Sequence, residues 1–342
     1  MRISENCPLL EHNTFGIAAT ARRLAEYDTV EELRALIAQR NDCGDTSALL
    51  HIGGGSNLLF LSDYEGTILH SRIRDIEVMD ESDNALTVRV GAGCVWDEWV
   101  EYAVGQGWYG LENLSLIPGE VGASAVQNIG AYGAEAKDFI LLVEAIDLKT
   151  GELRLFSNAE CDYAYRHSIF KTELRGRYAV THVHFRLQRH FSPNFEYGAL
   201  RQAIAKSGQE PEALDAAGLR RIIIELRNSK LPDPKVLGNA GSFFTNPIVG
   251  RATYEQLSHQ YPTMPHYEVD ADRVKIPAGW LIEQSGWKGK ALGRAGVYEK
   301  QALVLVNLGG ASGADIQQLC STIQHDVRER FGIKITPEVN FI

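Results

Sequence analysis

The chain has 342 residues, more than one ordinary core holds and enough for two or three domains. Hydrophobic residues at 44% and charged residues at 23% are those of a soluble globular enzyme. A formal net charge of -10 excludes a general nucleic-acid or membrane-surface role, because either needs a basic surface. An anionic small molecule held by a local cluster of lysine and arginine stays open.

Cys7, Cys43, Cys94, Cys161 and Cys320 are odd in number and scattered, with no C-x-x-C, so reduced thiols in a cytosolic compartment are expected. The N-terminal "MRISENCPLLEHNTFG" lacks the apolar core of a signal peptide, and no apolar run reaches membrane-spanning length. A soluble, cytoplasmic protein with no membrane partner is the expectation.

Thr29 and Glu32 stand at capping-box spacing and predict a short helix in "TVEELRALIAQR". "SALLHI" reads as a strand broken by Gly53, Gly54 and Gly55, and "TILHSRI" and "ALTVRVGAG" read as further strands. "VWDEWVEYAVGQG" predicts a helix ending near Gly105 and Gly107. "LLVEAIDLKTGELRLF" is two strand-like runs around Thr150 and Gly151, a hairpin signal, and "YAVTHVHFRLQ" is an alternating strand. The apolar cluster from Leu219 to Leu226 predicts a helix, stopped by the prolines of "LPDPK", which also mark the best domain boundary. "QALVLVNLGG" reads as a buried strand. Ile316, Leu319, Cys320, Ile323, Val327 and Phe331 then repeat at helical spacing, with Gly332 as C-cap. Strands neither alternate regularly with helices nor gather at one end, which gives an α+β multidomain chain.

Two glycine-rich stretches carry the first chemical signal. "HIGGGSNLL", residues 51–59, runs from a strand into three glycines whose uncovered amides suit phosphate oxygens. It is neither a P-loop nor a G-x-G-x-x-G fingerprint, and a tight surface turn is the plain alternative. "IPGEVGASAVQNIGAYG", residues 117–133, spaces Gly119, Gly122, Gly130 and Gly133 with Ala and Ser, and adds the amides of Gln127 and Asn128. Two small-residue loops suit an extended cofactor; a glycine–alanine packing seam between domains is the alternative. A third stretch, "LGNAGSFFTNP", sets Ser242 between Gly241 and two phenylalanines without the G-x-S-x-G of a hydrolase elbow. His182 and His184 share one strand face, but with no third ligand motif nearby they read as two partly exposed histidines rather than a metal pair.

Together the two glycine-rich stretches resemble the flavin-binding loops of the vanillyl-alcohol-oxidase/PCMH-type FAD fold. With "AYRHSIFK", "GNAGSFFTNP" and "TPEVNFI" coming after them in order, the chain resembles the UDP-N-acetylenolpyruvoylglucosamine reductase family, type I branch, from residue 53 to its end. That resemblance implies two α+β subdomains clamping FAD plus a third α+β substrate-binding domain. Residues 1–71, joined by the tail 339–342, would form the first subdomain. Residues 72–228 would form the second, with a tyrosine-loop insertion at 191–228, and residues 229–338 the substrate domain. It also implies a monomer whose partners are a UDP-sugar and NADPH, with non-covalent FAD between them. NADPH reduces the flavin, and hydride passes from N5 to C3 of an enolpyruvyl group, giving UDP-N-acetylmuramate for peptidoglycan.

The family's roles carry over onto particular residues. The enolate left at C2 must be stabilised and protonated. The resemblance assigns the C2 proton to Ser242, the substrate carboxylate to Arg166, and enol formation to Glu338. A guanidinium fork suits a carboxylate, and an enolate is a strong enough base to draw a serine proton. FAD contacts fall on Gly53, Gly54, Gly55, Ser56, Asn57 and Leu58, and on Ile117, Pro118, Gly122, Ala123, Ser124, Gln127, Asn128, Gly130, Ala131 and Tyr132. Substrate contacts fall on Tyr165, Tyr197, Lys230, Asn246, Tyr267, Lys275 and Lys288, with Tyr197 as a lid. Asn340 stands where some relatives carry a basic residue. A flavin oxidase of the same fold, tethered through His51, and a catalytically dead flavin or nucleotide-sugar sensor are the competing readings.

Overall fold

The computed structural model describes residues 1–208 and 210–342, which fall into two units. The first comprises Met1–Cys7, Ala21–Gly54 and Glu65–Ser229; the second comprises Pro8–Thr20, Gly55–Tyr64 and Lys230–Ile342. Helices and sheets are mixed along both, an α+β chain as expected.

In the first unit the Val30–Asp42 helix starts at Thr29, whose hydroxyl accepts from the Glu32 amide at 3.2 Å. The box closes on one side only, because the Glu32 carboxylate turns to the Asp28 amide at 2.8 Å. Leu33, Leu36 and Ile37 pack on Tyr27 and Leu69 of a four-stranded sheet ordered Arg2–Pro8, Thr20–Tyr27, Tyr64–Ser71, Leu49–Ile52. Leu49–Ile52 runs parallel to Tyr64–Ser71, with Ile52 opposite His70, and leads straight into Gly53.

A five-stranded antiparallel sheet comes next, ordered Leu153–Ser157, Ile140–Asp147, Tyr178–Gln188, Ala85–Gly91, Ile76–Glu81. The predicted Trp96–Gly105 helix lays Trp96 and Trp99 on it, each 5.9 Å from the Phe185 ring. Both indoles are fully buried, and removing either would cost about 3–5 kcal/mol. The hairpin falls where "LLVEAIDLKTGELRLF" predicts.

One expectation is corrected here. Tyr178–Gln188 is the middle strand and is buried on both faces, so His182 and His184 are 3% and 8% exposed rather than partly exposed. Glu144 compensates them. His184 Nε2 lies 2.7 Å from its Oε1, His182 Nδ1 3.3 Å from its Oε2, and Arg89 donates to both oxygens at 2.7 and 2.9 Å. Burial opposes the charge on Glu144, but the two histidines and Arg89 outweigh it and hold the carboxyl far below its usual range.

Further along, Leu200 and Ile204 of the Gly198–Ser207 helix pack on Leu219, Ile222 and Ile223 of the Ala216–Lys230 helix. Tyr132, Phe191 and Phe195 lie against this small core.

In the second unit a four-stranded sheet is ordered Asn239–Ser242, Val304–Asn307, Ala295–Val297, Ala291–Leu292. The helix Gly313–Phe331 carries the predicted apolar stripe inward; Ser312 and Asp315 close its capping box, and Gly332 ends it at φ 67. Leu58–Leu59 pairs in parallel with Asn340–Phe341. A three-stranded sheet is ordered Ile248–Gly250, Arg273–Lys275, Tyr267–Glu268. Among the described residues no helix is long and apolar enough to cross a membrane.

Candidate functional site

The two glycine-rich stretches meet in the first unit. A methyl built on Gly53 would stand 3.1 Å from Glu120 Oε2 and 3.3 Å from Ala123 Cβ, and one on Gly54 would stand 3.7 Å from Gly119 Cα. The second stretch is not the open loop its composition predicts, because Val121–Gln127 winds into helix. Its small residues serve close packing: Gly122 lies so near the end of the Ala85–Gly91 strand that a Cβ would reach Ala92 Cβ at 2.8 Å. Ser124 donates to the Val121 carbonyl at 2.6 Å, and Asn128, at φ 46, ends the helix. Gly130 and Ala131 then pair with Glu135 and Ala134.

Left-handed backbone gathers in these segments. Leu116 (φ 58) precedes Ile117 and Pro118, Asn128 (φ 46) and Tyr132 (φ 49) close the second stretch, and Arg166 is itself at φ 54. Each such non-glycine residue carries about 1–3 kcal/mol of strain, which persists only where surroundings over-determine it. For Arg166 those surroundings are explicit. Its Nη1 donates to the Asn128 carbonyl at 3.2 Å and its Nη2 to the Gly130 carbonyl at 2.6 Å. Tyr165 lies beside the guanidinium, with the ring centroid 5.2 Å away. Lys171 Nζ donates to Gln127 Oε1 at 2.8 Å and to the Arg166 carbonyl at 2.9 Å. The arginine fork is thus built onto the second glycine-rich stretch.

Tyr197 begins the Gly198–Ser207 helix, 38% exposed, with its ring 5.6 Å from Tyr132 and edge-on to it. Asn113, buried, holds the approach by donating to the carbonyls of Tyr132 and Asn194, both at 2.9 Å.

In the second unit Ser242 is exposed at the end of Asn239–Ser242 and opposite Val304. Gly241 at φ 66 provides the irregularity before it, with its amide on Asn239 Oδ1 at 2.9 Å. Phe243 and Phe244, at 0% and 1% exposure, anchor the backbone after it. The C-terminal segment runs alongside: the Glu338 amide donates to the Phe243 carbonyl at 2.8 Å and the Thr245 amide to the Thr336 carbonyl at 3.0 Å. Asn57 Nδ2 donates to the Glu338 carbonyl at 3.2 Å, and the Asn340 amide returns to the Asn57 carbonyl at 3.0 Å. Gly55 is required beneath this knot, since a methyl there would sit 2.0 Å from the His12 carbonyl oxygen. Gly55, Ser56, Asn57 and Leu58, Ser242, and Glu338 therefore converge through main-chain bonds and the Asn57 side-chain amide. Asn340 takes a structural place there.

The candidate substrate residues of this unit are placed separately. Tyr267 and Lys275 face each other across adjacent strands, with Nζ 5.5 Å from the ring centroid. Asn246 Oδ1 accepts from the Ala278 amide at 2.9 Å and so caps the Ala278–Gln284 helix. Lys288 pairs with Glu283 at 2.9 Å, and Lys230 closes the Ala216–Lys230 helix.

Sequence reasoning misses Arg220 and Arg227, seven positions apart on that helix. Arg220 grips Asp97 at 2.6 and 3.1 Å, Asp97 accepts from the Leu116 amide, and Arg227 Nε donates to the Leu116 carbonyl at 3.2 Å. Both sides of the strained Leu116 peptide are thereby held. Burial pulls Arg227 below its ordinary range, against the Tyr132 hydroxyl and Asp97, which favour its charge. Burial likewise pushes Tyr132 up, opposed by Arg227. The seven-residue spacing was the available signal.

His51, the candidate tether, is engaged elsewhere. Its Nε2 lies 2.7 Å from the Tyr27 hydroxyl, and burial pushes the ring down to about 3, so it is neutral.

The chain is similar to known proteins over its whole length. The family described as "UDP-N-acetylenolpyruvoylglucosamine reductase, C-terminal domain" matches residues 233–342, and the family "FAD binding domain" matches residues 21–157. A UDP-N-acetylenolpyruvoylglucosamine reductase of Bacteroides fragilis is 57% identical over 334 residues, covering 98% of each chain. One of Porphyromonas gingivalis is 45% identical over 342 residues, covering 100% of each. The crystal structure of the Thermus caldophilus UDP-N-acetylenolpyruvylglucosamine reductase superposes with a TM-score of 0.68 at 22% identity, covering 100% of this chain and 99% of that one. This last likeness speaks to the fold.

Proposed function

The chain belongs to the UDP-N-acetylenolpyruvoylglucosamine reductase family, and from that premise we propose how its residues divide the reaction. It is a flavin-dependent oxidoreductase that reduces UDP-N-acetylglucosamine enolpyruvate to UDP-N-acetylmuramate for peptidoglycan, using FAD and NADPH. FAD held by residues 53–58 and 117–132 would supply the redox chemistry, a two-electron link between NADPH and the enolpyruvyl double bond.

The residues present fit that cofactor: Gly54 is exposed with nothing closer than 3.7 Å to an added methyl, and left-handed backbone at Asn128 and Tyr132 closes the second stretch. We assign FAD to residues 53–58 and to the named positions of 117–132. Arg166 holds the substrate carboxylate, because its two carbonyl bonds set the plane of the fork. Ser242 gives its proton to C2 and recovers one from solvent. Glu338 assists enol formation at the carboxylate. Tyr197 closes over the diphosphate, while Lys230, Asn246, Tyr267, Lys275 and Lys288 contact the uridine diphosphate. The resemblance supports counting the tail 339–342 with residues 1–71; the pairing of Asn340–Phe341 with Leu58–Leu59 joins that tail to the part of 1–71 that lies in the second unit. The resemblance supports the divisions 72–228 and 229–338 and a monomer, and the scattered cysteines support a cytoplasmic site.

The observation that carries this reading is the bond from the Glu338 amide to the Phe243 carbonyl, which sets the glutamate beside the serine's strand. Purified protein should be yellow, acid should release its flavin to the supernatant, and NADPH consumption should require the UDP-sugar. Yellow colour kept in the acid pellet would favour a tethered oxidase. NADPH consumption indifferent to the UDP-sugar would overturn the assignment.

A further inference from the structure

Glu120 is a carboxylate in an unexpected place. It stands at the N-cap of Val121–Gln127, where a side chain ordinarily accepts from the helix amides, yet it makes no capping bond. Its side chain turns instead under the first glycine-rich stretch, where Oε2 occupies the space a Gly53 methyl would approach at 3.1 Å. The residue is 7% exposed. A buried negative charge beside backbone suited to phosphate has the wrong sign for that ligand and needs a counter-charge.

His70 is placed to supply it. Its Nε2 lies 2.9 Å from Glu120 Oε1, and its Cα partner is Ile52, the residue before Gly53. We propose that His70 is a positioning residue for the cofactor: it holds Glu120 against Gly53 and Gly54 and, when protonated, cancels the carboxylate so that the FAD diphosphate is accepted beside it. This rests on the assignment of FAD to these loops.

The surrounding charges are consistent. Glu26 Oε1, on the neighbouring strand, is 3.4 Å from His70 Nδ1, and Arg72 reaches Glu26 at 3.2 Å and Asp28 at 3.6 Å. Tyr27 and the neutral His51 bond each other. Burial pushes up the thiols of Cys7 and Cys94, as do the nearby Glu26 for Cys7 and Asp75 and Glu120 for Cys94. Burial disfavours a charged His70, but Glu120 and Glu26 outweigh it and raise its range. The compensation is therefore complete below the ordinary histidine value of about 6.5 and fades as pH rises through the raised value.

Fluorescence quenching of FAD added to apoprotein, from about pH 5.5 to 8.5, tests this. Wild-type binding should weaken as pH passes the raised His70 value. H70Q should bind about tenfold or more weakly and lose the pH dependence, since an uncompensated carboxylate remains. E120Q should carry its pH dependence to lower pH, because burial then opposes the His70 charge with only Glu26 favouring it, and should bind no worse than wild type at the alkaline end. Adding E120Q to H70Q should restore affinity, which a merely structural histidine would not allow. An E120Q protein that keeps the wild-type pH profile, or a double variant as weak as H70Q, overturns the proposal. If H70Q does not fold, wild type against E120Q decides it. A wild type that binds no FAD at any pH overturns the flavin assignment itself.

Discussion

The Glu338 amide donates to the carbonyl of Phe243, the residue after Ser242, at 2.8 Å. Because the bond is between main-chain groups, Glu338→Gln leaves it in place, and the variant should still fold and bind FAD. Flavin reoxidation by the UDP-sugar should slow by about 10²–10⁴-fold, the usual worth of a positioned acid or base. Rapid mixing of reduced enzyme with substrate measures it. A wild-type rate would remove Glu338 from the reaction.

Gly55 and Gly54 separate folding from binding. Gly55 is at φ 66, and an added methyl would meet the His12 carbonyl oxygen at 2.0 Å. Conformation alone makes alanine there cost more than about 1 kcal/mol, and the collision adds to it. Gly54 has no neighbour closer than 3.7 Å to an added methyl. Gly54→Ala should keep its melting temperature and bind FAD more weakly, whereas Gly55→Ala should melt lower even as apoprotein. Equal melting of the two apoproteins would contradict the packing argument.

Glu144 predicts an acid signature. Its folded value is depressed, so its contribution to stability is present above the unfolded glutamate value of about 4.3 and is lost as pH falls through the folded value. Glu144→Gln leaves Arg89 with only the more exposed Asp75 and Glu77, strips the charge facing His182 and His184, and should cost about 3 kcal/mol at neutral pH. Denaturant melts should show that difference narrowing in acid. A gap that stays constant to low pH would mean that packing, not charge, sets it.

Several features were legible because one residue type decides them. Gly332 takes left-handed backbone at the end of the last helix, and the Thr29 hydroxyl accepts from the Glu32 amide at the start of the first. The hairpin at Thr150 and Gly151 and the tryptophan helix come from turn chemistry and apolar spacing alone. The features that stayed hidden depend on partners distant in sequence. His182 and His184 alternate as a half-exposed strand would, but the strand is central and Glu144 and Arg89 make their burial tolerable. Val121–Gln127 looks like loop because glycine and alanine have no periodic apolar face, and its close packing on Ala92 is visible only in the fold. Arg220 and Arg227 read as solvent charge until Asp97 and Leu116 are seen to receive them.

Ser242 is held as a proton donor would need to be. Gly241 turns the chain before it, Val304 lies opposite, and two buried phenylalanines fix the backbone after it, while the serine itself is exposed. Ser242→Ala removes one hydroxyl and no packing, so the variant should fold and bind FAD like wild type. Of the two halves of the cycle, flavin reduction by NADPH needs no proton at C2, and flavin reoxidation by the UDP-sugar does. A positioned general acid contributes about 10²–10⁴-fold, or roughly 2.7–5.5 kcal/mol of barrier. Stopped-flow measurement should therefore show reoxidation slowed by about that factor and reduction nearly unchanged. If both halves slow together, the serine shapes the pocket and is not the acid. If neither slows, the hydroxyl belongs to an ordinary turn, and the proton reaches C2 from Glu338 or from water.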